Sequence, residues 1–133
     1  MSAVAMVHAT DPKSDIFLSL GDHLDQVTPL GADVLLAVYI RPEQTKGGIL
    51  LPANQGMRKE DNYQGKVGLV LKLGPLAFRS DATHDFGEVV PRVGDWVAIN
   101  VGDTWAFQLG DQRCRVAQDV DIKLILSAPD IVL

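Results

Sequence analysis

Residues 94–117 read GDWVAINVGDTWAFQLGDQRCRVA. Gly-Asp pairs at residues 94–95, 102–103 and 110–111 separate short runs of apolar residues. Glycine and aspartate suit tight turns, and short runs at this spacing are typical of a small all-β barrel rather than of alternating βαβ units. The stretch therefore predicts strands over residues 96–101, 104–109 and 113–117, and an all-β fold.

Three further runs predict strands outside this stretch. Residues 33–41 are apolar on both faces, which favours a strand covered on two sides, by a barrel core and by a neighbouring subunit. Residues 122–126 predict the last strand. Residues 66–73 alternate, which places one set of side chains on one face (Val67, Leu69, Leu71, Leu73) and the others on the opposite face (Gly68, Val70, Lys72).

The remaining segments predict little regular structure. Residues 1–13 are small, mixed and aperiodic, as in a terminal tail. Ser14 is a candidate N-cap and Gly21 a candidate stop for a short helix between them. Two long connections, residues 42–65 and 74–93, interrupt the strands. Connections of this length in a compact domain are usually functional or disordered.

Composition limits the classes of partner. The chain has 133 residues, enough for one domain, and 47% of them are hydrophobic. With 12 basic and 17 acidic residues the net charge is −5, which argues against nucleic acid or an anionic membrane as the main partner. A single cysteine excludes an intrachain disulfide, and no apolar run approaches the length of a membrane span. A cytoplasmic or virion-associated protein is expected.

Signals for enzyme chemistry are weak. Asp22, His23 and Asp25 could be offered as metal ligands, but the histidines are scattered and no Cys/His pair has ligand spacing, so no metal site is expected. Cys114 lies between two arginines, yet on a strand its side chain faces away from both, which predicts a buried thiol. Trp96 and Trp105 are expected in the core or at an interface. We expect no enzyme activity and no cofactor.

Residues 45–52 read TKGGILLP and place three large aliphatic side chains in a segment that its neighbours mark as a loop. One interpretation is a β-hairpin with the glycines in its turn. The other is a hydrophobic ligand on a flexible arm, because the glycines loosen the chain before the triplet, the proline stiffens it afterwards, and residues 53–64 are polar. Exposed apolar side chains of this kind need a partner to bury them. The candidate binding residues are Lys46, Gly47, Gly48, Ile49, Leu50, Leu51 and Pro52.

The chain from about residue 28 onward resembles the GroES-type co-chaperonins, the ring-shaped lids of chaperonins. The octet at residues 45–52 is similar to the mobile loop of that family, and Val93-Gly94-Asp95 resembles its Val-Gly-Asp motif at the start of a strand. Other pieces follow in the order of the family: Thr28-Pro29-Leu30 before the first strand, Gln64-Gly65-Lys66-Val67 before the second, and the segment 113–131 at the end.

The resemblance implies a small irregular β-barrel over residues 28–133, preceded by an N-terminal extension over residues 1–27. It implies assembly into a seven-membered ring, which we expect the first strand and residues 131–133 to stabilise. Residues 42–65 would be the loop arm that carries the aliphatic triplet to the apical domain of a chaperonin, and residues 74–93 a roof-like segment. The lid needs no cofactor of its own.

The chain departs from the family pattern at several places and there looks more like the divergent GroES-like proteins of bacteriophages. Such a protein would act in the host cytoplasm. The departures also support an alternative hypothesis, a virion structural protein such as a capsid decoration or cement subunit. In that case the extension would anchor the protein over a capsid protein. Its apolar residues, expected to lie outside the barrel, would be buried there (Ile16, Phe17, Leu18, Leu20).

Overall fold

The computed structural model describes residues 11–40 and 66–131. Six strands form one sheet: β1 (Asp33–Val38), β2 (Val67–Leu73), β3 (Trp96–Ile99), β4 (Trp105–Leu109), β5 (Gln112–Gln118) and β6 (Ile122–Leu126). Their order across the sheet is β4-β5-β1-β2-β3-β6, and every neighbouring pair is antiparallel. One α-helix, α1 (Pro12–Leu20), accompanies the sheet in these residues. The all-β prediction is confirmed at this level.

The turns that separate the predicted strands are of two kinds. Gly110 and Asp111 join β4 to β5 as a two-residue hairpin loop, and Gly110 has φ +60°, a backbone conformation that glycine adopts without steric cost. The pair at residues 102–103 instead belongs to a 3₁₀ turn over Val101–Asp103. The predicted strand over residues 96–101 is therefore shorter, and β3 ends at Ile99.

A β-bulge corrects the predicted facing of β2. Leu35 pairs with Lys72 and Leu36 with Val70, so Leu71 is the extra residue on the β2 side. Beyond the bulge the side chains exchange faces, and Leu73 packs with the cluster that contains Val70 rather than with Leu71. The prediction that Leu73 shares the face of Leu71 is wrong, because strict alternation holds only in an uninterrupted ladder.

The helix α1 begins one turn earlier than predicted. Asp11 is the N-cap, and its carboxylate accepts a hydrogen bond from the backbone N–H of Lys13 at 3.3 Å. Pro12 is the first helical residue, where the lack of an N–H has no cost. Ser14 lies inside the helix and is not its N-cap. Gly21 follows the last helical residue as predicted, and a 3₁₀ turn over Gly21–Gln26 leads on towards β1.

The helix α1 is part of the hydrophobic core. Leu20 is fully buried and Ile16 is 8% exposed, and both belong to one cluster with β1, β2, β3, β5 and β6. Leu35 and Ala37 face this cluster, while Val34 and Leu36 face a second cluster on the other side of the sheet. Both faces of β1 are thus buried within one chain, and in this region α1 provides the cover that had been expected from a neighbouring subunit. The expectation that the apolar residues of the helix lie outside the core is wrong for Ile16 and Leu20.

The sheet cannot be flat. Gln118 ends β5 and Ile122 begins β6, so the link between the two strands can span at most about 14 Å. Three strands lie between β5 and β6 in the sheet order, which in a flat sheet would separate them by about 19 Å. The 3₁₀ turn over Asp119–Asp121 also contacts both distant parts: Asp119 donates its N–H to the carbonyl of Ala32 (3.1 Å), and the carbonyl of Asp121 accepts from Asn100 (2.8 Å). The sheet therefore curls around its second cluster.

Residues 74–93 contain turns and no strand or helix. The segment begins at Gly74, where an added Cβ would lie 2.4 Å from the carbonyl oxygen of Gly31, so only glycine fits there. It is joined to the sheet at Phe78, whose backbone N–H donates to the carboxylate of the buried Asp119 (3.0 Å). Phe78 also has φ +59°, which is unusual for a residue with a side chain.

Candidate partner-binding arm and its base

The seven residues predicted to bind a partner, 46–52, lie outside the described residues, as does the whole loop arm over residues 42–65. What the structure describes is the base of the arm. The chain leaves the sheet after β1 and returns in β2, and these two strands are neighbours at the centre of the sheet. The connection therefore begins and ends at adjacent points of one sheet end.

Hydrogen bonds hold the two ends of the connection together. The backbone N–H of Tyr39 donates to the carbonyl of Val67 (3.0 Å), which continues the ladder one step beyond β1. The side-chain amide of Gln112 donates to the carbonyl of Val38 (3.3 Å), so the β4–β5 hairpin supports the outgoing end. The carbonyl of Lys66 accepts from the N–H of Ile99 (2.8 Å), so β3 supports the returning end.

Side-chain packing stiffens the same place. Tyr39 is 4% exposed, and its ring meets that of Trp96 edge-to-face with centroids 5.5 Å apart. At Gly68 an added Cβ would lie 3.1 Å from the carbonyl oxygen of Ala37, so the two strands approach closely there. The base of the arm is thus a buried, closely packed region where β1, β2 and β3 meet.

Two other sequence predictions concern buried groups. Cys114 is fully buried in the first cluster, and this burial raises the pKa of its thiol to about 11. The prediction of a buried thiol is confirmed. Both tryptophans were expected in the core or at an interface, and Trp96 lies in the core. Trp105 is 68% exposed on β4, and its ring stacks on that of Phe107 with centroids 5.4 Å apart.

The polar side chains of the loop over residues 80–87 are used in hydrogen bonds that close the loop itself. Ser80, Asp81 and Asp85 accept hydrogen bonds from backbone N–H groups within residues 80–87. A cleft of about 670 Å³ lies between this loop and the start of β1, and two of its acidic residues, Asp81 and Asp119, already accept hydrogen bonds from backbone N–H groups. Within residues 11–40 and 66–131, no group of three His, Cys, Asp or Glu side chains could hold a metal ion.

Sequence reasoning missed the residues that build the base of the arm. Tyr39 and Gln112 carry no motif, since one is an aromatic residue at a strand end and the other a polar residue after a turn. A signal was present for Tyr39 only, because a large aromatic side chain at the last step of a buried strand is typical of a packed strand end. Gln112 acts through Val38, a contact 74 residues away in sequence.

The chain matches no protein-family model. The resemblance to co-chaperonins therefore depends on the sequence motifs. No helix in the described parts of the chain is long and apolar enough to cross a membrane.

Proposed function

We propose that this protein is a GroES-like co-chaperonin: a ring-forming lid that docks on a chaperonin through a loop arm and assists protein folding without chemistry of its own. The aliphatic triplet Ile49, Leu50 and Leu51 is the ligand, and the apical domain of the chaperonin is the partner. The protein acts in the cytoplasm, or in the host cytoplasm if a bacteriophage encodes it.

The observation that supports the proposal most is the position of the arm. A glycine-flanked apolar triplet lies in the connection between two central, adjacent strands, and the ends of that connection are hydrogen-bonded within the sheet. The bonds of Tyr39 to Val67 and of Gln112 to Val38 hold the two ends of the connection to the sheet. Binding loops on rigid scaffolds are a common arrangement, because only the loop has to be ordered on binding.

The energetics favour weak, multivalent docking. Burying three aliphatic side chains contributes roughly 5–9 kcal/mol at about 1.5–3 kcal/mol each. Fixing the backbone costs about 1–2 kcal/mol per residue, so ordering a handful of residues cancels most of this gain. A single arm then binds weakly and reversibly. Several arms on one ring raise the effective concentration and make the lid tight but releasable.

The barrel fold and the ring belong to the same proposal. The curvature required by the short β5–β6 link supports a barrel, because a sheet that curls this strongly brings its two edge strands towards each other. The copy number of seven comes from the family resemblance. In this proposal residues 74–93 form the roof-like segment, and their connection to the sheet through Asp119 keeps that segment at a defined place.

The alternative, a capsid decoration protein, loses part of its support. It needed the apolar residues of the N-terminal extension to be available for a capsid protein. Ile16 and Leu20 are instead used by the core of this chain, and only Leu18 of that group is strongly exposed, at 79%. The lid proposal needs nothing from these residues and is therefore preferred.

The test is a pair of single substitutions on the full chain. Leu50→Asp should abolish binding to a purified bacterial chaperonin ring with nucleotide, measured by calorimetry, and should leave the thermal melt unchanged. Leu76→Asp, at a leucine that is 54% exposed outside the arm, is the matched control and should bind like the wild type. If Leu50 packs in a hairpin instead, its carboxylate variant should lose several kcal/mol of stability. Unchanged binding by Leu50→Asp would contradict the proposal.

A further inference from the structure

A groove of about 420 Å³ lies between β6 and residues 89–91, where the second cluster of the core reaches the surface. Phe78 and Ile122 line this groove and also pack on the second cluster. Ile125 and Val89 line it as well and are 43% and 81% exposed. Exposed apolar side chains that are grouped in a groove of this size are typical of a binding surface.

Two aromatic rings in the groove are held by the fold. Phe78 has φ +59°, which residues with a Cβ rarely adopt, and its N–H donates to the carboxylate of the buried Asp119. Its ring meets that of Phe86 edge-to-face, with centroids 5.5 Å apart, and both residues line the groove. Strained residues persist where their surroundings fix them, and they are concentrated at functional sites such as ligand clamps. The pair of rings is therefore a built part of the groove.

The polar groups of the groove belong to the backbone, with one exception. The described residues that line it have apolar side chains apart from Lys123, so its other polar groups are backbone N–H and C=O groups. The edge of β6 that faces away from β3 also has no strand partner in residues 11–40 and 66–131. An extended polypeptide presents apolar side chains together with backbone hydrogen-bonding groups, which a lipid tail does not. The groove therefore matches a peptide better than a lipid.

Lys123 adds a positive charge to the groove. The register of β3 and β6 skips this residue, which is the extra residue of a β-bulge. Bulges re-aim side chains, and here the extra residue is among those that line the groove. Its Nζ donates to the carbonyl of Val120 at 2.9 Å, and this neutral partner leaves the charge uncompensated. A ligand of complementary charge carries a carboxylate beside its apolar residues.

The groove has room for a short extended segment. The side formed by residues 122–125 is about 10 Å long at roughly 3.3 Å per residue, which corresponds to three or four residues of a peptide. A folded second copy offers no such segment in the described part of the chain, because no three consecutive residues there are both apolar and exposed. An unfolded polypeptide exposes segments of this kind.

The aliphatic triplet of the loop arm does not match the charge of the groove. The charged residue nearest to residues 49–51 is Lys46, which has the same sign as Lys123. Like charges at one site disfavour binding. A segment of another polypeptide is therefore the favoured occupant.

We propose that this groove binds an extended segment of another, unfolded polypeptide, with three or four apolar residues next to an acidic one. The apolar side chains lie against Phe78 and Ile125, and the carboxylate lies near Lys123. That the polypeptide is a folding client rests on the proposed function, whereas the chemistry of the groove does not.

The first experiment measures the fluorescence anisotropy of labelled peptides mixed with the full chain. The probe is an acetylated hexapeptide of sequence Gly-Val-Ile-Val-Glu-Gly, and its matched control has Lys in place of Glu. The acidic peptide should bind saturably, and the basic one about tenfold more weakly. In Lys123→Glu this preference should reverse. Equal binding of the two peptides, or no binding of either, would overturn the proposal.

The second experiment tests the wall of the groove. Val89→Asp, at an exposed position, should keep the thermal melt of the wild type and should weaken binding of the acidic peptide by about tenfold or more. Leu18→Asp, at a leucine 79% exposed on α1, is the matched control and should bind like the wild type. An equal loss in both variants would overturn the proposal, because binding would not depend on the groove.

Two further measurements test other occupants. In sedimentation velocity Val89→Asp should have the mass of the wild type, and a smaller mass would overturn the proposal in favour of a second copy in the groove. Serine at all three positions 49–51 should leave the affinity for the peptide unchanged, and a higher affinity would overturn the proposal in favour of the arm. Val89→Asp should still bind the chaperonin and Leu50→Asp should still bind the peptide, so the groove and the lid function fail separately.

Discussion

The helix α1 and the segment 74–93 both lie outside the strands, and they are held in opposite ways. The helix is attached through apolar side chains, since Leu20 is fully buried and Ile16 nearly so. Beyond Phe78, the segment is closed by its own polar groups: Ser80, Asp81 and Asp85 bond to nearby backbone, and Val89 is 81% exposed.

This difference separates structural from adaptable parts of the molecule. An element that contributes buried side chains to the shared core unfolds with it, whereas a loop closed by local hydrogen bonds can rearrange at low cost. The helix therefore belongs to the folding unit although it lies in the predicted extension. Residues 80–87, which are closed by such local bonds, are therefore expected to rearrange more easily than residues 74–78. The latter bond to Gly31, Asp33 and Asp119, and Ala77 and Phe78 pack on the second cluster.

The largest expected effect is on the helix. Leu20→Ala should lower the free energy of unfolding by about 2–5 kcal/mol, because it leaves a cavity between α1 and the sheet. Urea denaturation measures this loss. Leu18→Ala, at a leucine 79% exposed on the same helix, should change stability by no more than about 0.5 kcal/mol. Equal effects of the two variants would show that α1 is not packed on the core.

The reactivity of the Cys114 thiol is a second, independent test of the packing of α1 on the core. Burial raises the pKa of Cys114 to about 11 and shields its sulfur, so the native protein should not react with a thiol reagent at pH 8. Leu20→Ala should increase the rate, because opening of the helix exposes the cluster. In the unfolded chain the thiol of Cys114 loses its proton near pH 9, before it does so in the folded protein. The free energy of unfolding should therefore fall as the pH rises from about 9 to 11.

An intermediate effect is expected at the link between the segment 74–93 and the sheet. Asp119→Ala removes the acceptor for the N–H of Phe78 and should cost about 1–3 kcal/mol of stability, since Asp119 is a buried residue, 7% exposed. Chemical denaturation gives the value, and Asp85→Ala, in the exposed part of the loop, is the control. A variant as stable as the control would mean that the link contributes nothing to the fold.

The smallest effect should be confined to the loop. Hydrogen bonds from the backbone of His84 and Thr83 hold the pKa of Asp81 below its usual value of 3.8. A carboxylate with a lowered pKa in the folded state contributes its stabilisation above the usual value, and the contribution is lost as the pH falls through the lowered one. The amide resonances of Thr83 and His84 should therefore shift together below pH 3.8, while those of β1 stay constant. A midpoint at or above 3.8, or a simultaneous change in β1, would contradict this assignment.

Local patterns were sufficient for the strands. The Gly-Asp pairs limit where the chain can turn, and the aliphatic runs between them can be buried only as short strands, so β4, β5 and β6 lie within a residue or so of their predicted positions. The buried thiol of Cys114 followed from the alternation of strand side chains in the same way. The face of the sheet on which Leu73 lies could not be predicted in this way. The bulge depends on how β1 and β2 pair, and the sequence of β2 alone does not indicate it.

By itself the sequence determined the strand positions, the acidic charge and the polar connection that carries Ile49, Leu50 and Leu51, since each of these depends on residue type and spacing within a few positions. Only the tertiary structure decided that α1 covers β1, that β4 and β6 are the outer strands of the sheet in residues 11–40 and 66–131, and that Phe78 is held by Asp119. The physical reason is the distance along the sequence between the residues that interact. Burial and pairing are settled between residues far apart in the chain, and an apolar side chain such as Leu20 or Trp105 reads alike in sequence whether it ends in a core or on an edge.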